Sequence, residues 1–208
     1  MVALTILELR YHSSYRRCEH RQKRFILMSS AVSPFNLVVM GVSGCGKSTV
    51  AEALARKLNG HFADGDDFHP PSNVDRMSKG IPLSDTDRMP WLEAINQYMR
   101  QTEPNRTINV VACSALKRIY RDTLADSIPV LFVHLAGDFA LIEARSKART
   151  GHFMNVGLLQ SQFDTLEPPT DDESVVTVRI DVTIDEVIEN AVKQVKRSDL
   201  FRSFQQQL

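Results

Sequence analysis

The eight residues Gly41-Val-Ser-Gly-Cys-Gly46-Lys47-Ser48 hold three glycines, one lysine and a terminal hydroxyl, spaced as G-x-x-x-x-G-K-[ST]. That spacing has the chemistry of a phosphate cradle. Glycines allow torsions that turn successive N–H groups inward toward anionic oxygens. A helix starting at the lysine adds its positive end. Lys47 can reach the outer phosphates, and the Ser48 hydroxyl is placed to ligate Mg²⁺. Gly41, Val42, Ser43, Gly44, Cys45, Gly46, Lys47, Ser48 and Thr49 are therefore the expected nucleotide-binding residues. An apolar run precedes the string and a helical pattern follows it, which is the context the motif requires.

Acidic residues cluster next in Asp64-Gly-Asp66-Asp67-Phe-His69. Beside a phosphate loop, one carboxylate can orient hydrated Mg²⁺ and another can align or deprotonate an attacking hydroxyl. Asp64 is expected to join Ser48 at the metal, and Asp66, with Asp64 as second choice, to serve the hydroxyl. The chain has no N-K-x-D guanine motif, and its third apolar run ends in Cys113-Ser114-Ala115 rather than in an acidic pair. Both points argue against a GTPase or a motor ATPase and for a small-molecule kinase that uses ATP.

The elements that must position these groups are legible as alternating patterns. Apolar runs at 35–40, 108–113 and 129–136 read as buried strands, with 61–63 a brief second strand and 175–181 a fifth. Helical spacing appears over 48–58, closed by Asn59-Gly60, and from Trp91 to Met99, with Pro90 near the first turn. Further helices are expected over 117–125, over 138–149 with Asp138 as N-cap, and after a capping box of Thr183 and Glu186. Strands alternating with helices imply an α/β domain, residues 34–208, with a five-stranded parallel sheet covered on both faces.

Beyond the phosphate loop, the chain resembles the gluconate kinases in the stretches DGDDFHP (64–70), GIPLSDTDRMPWL (80–92), CSALKRIYRD (113–122), ARTGHF (148–153) and LLQSQFDTLEPP (158–169). These lie in the family's order, and the second and third are far more specific than the phosphate loop. The resemblance implies ATP-dependent phosphorylation of D-gluconate at its terminal hydroxyl to give 6-phosphogluconate. It implies a three-layer fold like that of nucleoside-monophosphate and shikimate kinases, with strand order 2-3-1-4-5. It also implies a homodimer.

Gluconate is a hydroxyl-rich anion, so its pocket needs a cation for the carboxylate, best a planar guanidinium. His69, Arg76, Arg88, Lys117 and Arg121 are the candidates, with no choice among them. Lys117 and Arg121 follow a strand's C-terminal end, where open α/β sheets bind ligands. Arg145 and Arg149, four apart on one helical face, are expected to act from a mobile lid near 145–165, hinged at Gly151 and Gly157, on the transferring phosphoryl group. His152 has no assigned role. Cys45 is expected to make the enzyme sensitive to oxidants.

Of 25 basic and 25 acidic residues, six basic and two acidic fall in residues 1–33, leaving 19 and 23 for the remainder. An acidic body gives no reason to expect nucleic-acid binding. The basic arm reads as a disordered tail, or as sequence ahead of a true start at Met28, more readily than as an organellar targeting segment. Three cysteines without metal spacing suggest free thiols in a reducing compartment. No run approaches the length of a membrane span, so a cytoplasmic enzyme is expected. A shikimate-like or nucleotide kinase, and an ATP-binding RNA-associated module, are the competing readings.

Overall fold

In the computed structural model the described residues are 33–101, 108–148 and 156–208. The expectations for residues 1–32, Arg149, Gly151 and His152 lie outside them. From Pro34 to Leu208 the chain is one unit, built on five parallel strands: β1 (Phe35–Met40), β2 (His61–Asp64), β3 (Ile108–Ala112), β4 (Val130–Ala136) and β5 (Val175–Arg179). Their order is β2-β3-β1-β4-β5, as the resemblance implies. The helices are α1 (Lys47–Leu58), α2 (Pro71–Ser78), α3 (Asp85–Arg100), α4 (Arg118–Leu124), α5 (Phe139–Ala148), α6 (Val156–Thr165), α7 (Ile184–Arg197) and α8 (Asp199–Gln205).

Central β1 is buried along its whole length, with β3 on one side and β4 on the other. Val38 and Met40 project into a core shared with Trp91, Leu92, Ile95 and Met99 of α3 and with Tyr120 and Leu124 of α4. Strand alternation sends Leu37 and Val39 to the opposite face. There α1 packs with its buried Val50, Leu54 and Leu58, beside α7. Those two faces are the outer layers of the sandwich. Register between β1 and β3 is pinned by a buried amide pair, in which Asn109 Nδ2 donates to Asn36 Oδ1 at 2.8 Å. A one-residue slip would separate the pair and turn every side chain to the other face.

Three local readings change. The third helix starts at Asp85, not beside Pro90, because Ser84 and Asp87 form a capping box that begins it a turn and a half earlier. Pro90 therefore sits inside the helix, where its missing N–H removes one i→i−4 hydrogen bond. Asn59 adopts the left-handed conformation (φ 55°) that ends α1. The following Gly60 is needed for a different reason: a Cβ there would lie 2.9 Å from the Ile108 carbonyl oxygen. Helices α2, α6 and α8 are not among the expected elements; α2 and α8 are only 8 and 7 residues long. Phe201 and Phe204 of α8 nonetheless close the core by packing on Phe35, with ring centroids 5.1 and 5.4 Å away.

Candidate active site

The phosphate loop turns between β1 and α1. Gly41, Gly44 and Gly46 have φ of 138°, 81° and 98°, which side chains rarely tolerate. The Gly41 N–H donates to the Ser114 carbonyl at 3.2 Å, tying the loop to the end of β3. Lys47 Nζ donates to the Val42 carbonyl at 3.1 Å, so the ammonium is folded over the loop's own mouth. Cys45 overturns one expectation. Its side chain is buried, and burial raises the thiol pKa despite the charge of Lys47. A protonated, covered thiol is a poor target for oxidants. Cys113, at the end of β3, is likewise buried and pushed up to about 12.

The acidic turn follows β2. Gly65 makes it possible, because a Cβ there would lie 2.5 Å from the Ala112 carbonyl oxygen. The turn thereby crosses close over the end of β3. Asp64 caps it, accepting the Asp66 N–H at 3.1 Å through Oδ1, while its Oδ2 accepts the Ser48 hydroxyl at 3.0 Å. Asp64 is thus fixed by both partners, whereas the Asp66 side chain is exposed at the mouth. Lys47, Asp66 and Asp64 all lie within electrostatic reach of the Cys113 thiol.

Beyond the acidic turn, His69 stacks on Trp91 with ring centroids 4.2 Å apart and planes 17° from parallel. The indole N–H is anchored on the Gly65 carbonyl at 2.6 Å. Burial is the main cause holding His69 below its ordinary pKa, with Asp66 pulling upward and Arg88 downward. Both the carboxylate and the guanidinium therefore lie within electrostatic reach of His69. Arg88 donates to the Leu83 carbonyl at 2.5 Å and to the Tyr120 hydroxyl at 3.4 Å. Lys117 holds both oxygens of Asp85, at 3.0 and 2.8 Å, and Tyr120 also donates to Asp85. Lys117 first, then Tyr120, keeps the Asp85 carboxyl below its usual range. Arg88 and Lys117 each lie 5.7 Å from the Tyr120 ring centre, one cluster around one aromatic. Arg76 sits at its edge, 3.7 Å from Asp87, with a buried Nε that has no protein partner.

Arg121 does not join this cluster. Its side chain is 1% exposed and forms a two-pronged pair with Glu173, itself 5% exposed, at 2.5 and 3.0 Å. The remaining nitrogen donates to the Ala115 and Leu116 carbonyls at 3.2 Å. Every nitrogen of the fork is engaged, so Arg121 holds the loop after β3 and cannot take a substrate carboxylate. Ala115 needs that hold, since its φ of 45° is costly for a residue with a Cβ. Helical spacing put Arg121 beside Lys117; the acid that claims it is 52 residues away.

A cleft of about 440 Å³ runs beside the phosphate loop, lined by Gly44, Gly46, Thr49, Arg145, Val182 and Ile184 among others. The Arg145 guanidinium donates to the Ile180 and Val182 carbonyls at 2.6 and 3.2 Å. It borders this cleft instead of reaching over the loop's mouth as expected, because those carbonyls hold it at the end of β5. Gly157 lies within α6, not at a break. Sequence reasoning missed Asp85, Tyr120 and Trp91, which pack against Lys117, Arg88 and His69. The short spacing Ser84-Asp85-x-Asp87-Arg88 was the available signal.

A family model described as shikimate kinase matches residues 43–151. The thermoresistant gluconokinase of Escherichia coli (strain K12) is 44% identical over 162 residues, covering 77% of this chain and 93% of that protein. The gluconokinase of Gluconobacter oxydans (strain 621H) is 45% identical over 169 residues, covering 81% and 95%. A solved gluconokinase structure from Sinorhizobium meliloti 1021 superposes with a TM-score of 0.75 at 44% identity, covering 84% of this chain and 98% of that one.

Proposed function

The chain belongs to the gluconokinase family, and from that premise we propose how its residues divide the transfer of the γ-phosphoryl group of ATP to gluconate. The reaction is that of an ATP-dependent kinase. The terminal hydroxyl oxygen of gluconate bonds to the γ-phosphorus, the bond to the β,γ-bridging oxygen breaks, and ADP leaves with its electron pair. The hydroxyl proton passes to Asp66 and then to solvent, giving 6-phosphogluconate. Because such transition states are loose, position and charge matter more than base strength.

Residues 41–49 hold the triphosphate by backbone N–H groups, and Lys47 neutralises charge on the transferring group. The cleft between Arg145 and Val182–Ile184 takes the base and ribose. Among the described residues no cluster of three or more His, Cys, Asp or Glu could cage a metal. The Ser48–Asp64 pair offers hard oxygens and only two protein groups, which suits Mg²⁺ bound largely through water and phosphate. When bound there, Mg²⁺ would offset charge on the phosphate oxygens. Arg88, with Lys117 beside it, takes the gluconate carboxylate, and Arg76 a hydroxyl. Lid arginine Arg149 belongs to the same proposal.

The observation that supports this assignment is the gathering of Arg88 and Lys117 at Tyr120, each 5.7 Å from its ring centre, with Asp66 and Arg88 both near enough to His69 to act on its charge. A linear acid with a reactive hydroxyl at its far end needs a carboxylate at one end of its bed and a cation at the other. Within the same reading the enzyme is a cytoplasmic homodimer with a small-molecule acceptor and no nucleic-acid or membrane partner. No helix among the described residues is long and apolar enough to cross a membrane. An ADP-release assay with Mg·ATP and a panel of D-gluconate, shikimate, glycerate, common sugars and nucleoside monophosphates tests it. Turnover with gluconate alone, with 6-phosphogluconate as product, is the expected result. Preference for another acceptor would discard the acceptor bed. Folded, ATP-binding protein without any acceptor-dependent turnover would discard the kinase reading.

A further inference from the structure

Helix α6 and the residues just beyond it touch both halves of the site. Gln162 Oε1 accepts the backbone N–H of Ser43, third residue of the phosphate loop, at 2.6 Å across 119 residues of sequence. Two residues past the end of the helix, Glu167 reaches the acceptor side. Its N–H donates to the Leu116 carbonyl at 2.9 Å, and its Oε2 accepts the Arg118 N–H at 2.6 Å. Residues 162–167 therefore span from the loop that holds the donor to the loop that carries Lys117.

We propose that Gln162 is a positioning residue: with Glu167 it sets the phosphate loop at a fixed distance from the acceptor loop, so that the γ-phosphoryl group meets the sugar-acid hydroxyl and not water. The argument rests on the gluconate-phosphorylation reading above. Ser43 lies between Gly41 and Gly44, the softest part of the loop, and a bond to a rigid helix removes that softness. An amide suits the place. It accepts the N–H as a carboxylate would, but brings no negative charge toward a triphosphate. Gln162 is not what seats the helix. Leu159 is buried, and Phe163 packs edge-on against Phe139 with centroids 5.5 Å apart. The bond to Ser43 is thus an addition to a helix already docked.

The test compares wild type with Gln162→Met, which keeps length and removes the acceptor, and Gln162→Glu, which keeps an acceptor and adds charge. Gln160→Met is the control, since Gln160 pairs with Asp164 on the same helix. Each is assayed for kcat, for both KM values, for thermal midpoint, and for the ratio of ADP to 6-phosphogluconate formed. In Gln162→Met, kcat should fall about 10- to 100-fold, the cost of a misplacement on the ångström scale. KM for gluconate should stay within about twofold and the midpoint should hold, while the product ratio rises above one as water takes the phosphoryl group to give inorganic phosphate. Gln162→Glu should recover much of kcat, keep a ratio near one and raise KM for ATP. Should Gln162→Met not fold, Gln162→Glu decides: normal KM for ATP would overturn the proposal. Wild-type kcat and a ratio of one in Gln162→Met would overturn it too, as would losses in all three variants that merely track a lowered midpoint. Wild-type protein that fails to turn over gluconate would overturn the underlying reading, and is seen before any variant is compared.

Discussion

The phosphate loop and the cluster around Tyr120, proposed as the acceptor site, are built from different materials. The loop works through backbone N–H groups whose directions are set by three glycines at positive φ within six residues. The cluster works through side chains from three separate segments, and each of its cations lies close to an acid of the protein: Lys117 with Asp85, Arg76 with Asp87, Arg88 within 4.0 Å of Asp85. A backbone site is complete once its local torsions are right. A side-chain site depends on which charges are already committed elsewhere, and only the folded chain decides that.

Variants can break or sharpen this contrast. The largest effect is expected at Arg121, which belongs to the acceptor segment in sequence but to the framework in space. Arg121→Ala leaves Glu173 buried and unpaired and should cost about 3–5 kcal/mol of stability, read by denaturant unfolding. If it instead raised KM for gluconate at unchanged stability, the division between engaged and available cations would fail. Lys47→Ala should lower kcat about 10²- to 10³-fold, the range for losing one preorganised charge-stabilising group, with the unfolding midpoint unmoved. Arg88→Met should raise KM for gluconate about 10- to 100-fold, equivalent to about 1.5–3 kcal/mol for hydrogen bonds to a charged group. KM for ATP should not change. A comparable rise in Arg76→Met with none in Arg88→Met would move the carboxylate to the edge of the cluster.

The smallest effect concerns pH. Burial is the main cause lowering the pKa of both His69 and His134 below 6.5. As pH falls below about 6.5 the unfolded chain takes up protons that the folded protein still refuses. Their contribution is therefore complete above that pH and is lost as pH falls through the lowered folded values. The denaturant midpoint should decline between about pH 7 and pH 5, and less steeply in His69→Gln. An equal slope in that variant would remove His69 from the account.

How much of this was legible in advance follows the same division. Phe35–Met40, the glycine loop and the Ser48–Asp64 relation could be read because each depends on local pattern or a short, specific spacing. The start of α3 was misplaced because Pro90 drew the boundary that Ser84 and Asp87 in fact set. Arg121 was misassigned because an i, i+4 spacing reports a shared helical face, not the depth of that face. Arg145 was misdirected for a related reason: the Ile180 and Val182 carbonyls that capture it belong to a strand end 35 residues on. The stacked bed of His69 and Trp91 joins residues 22 apart, with no periodicity to announce it.

The pairing of Arg121 with Glu173 also sets an order of events during synthesis. Strands β1 and β3 and the whole phosphate loop leave the ribosome well before residue 173 does. The acceptor loop cannot settle, nor Ala115 hold its costly torsion, until that late carboxylate arrives. A nascent chain therefore completes its nucleotide loop's sequence first, and the ability to direct phosphate onto a sugar acid is among the last properties it acquires.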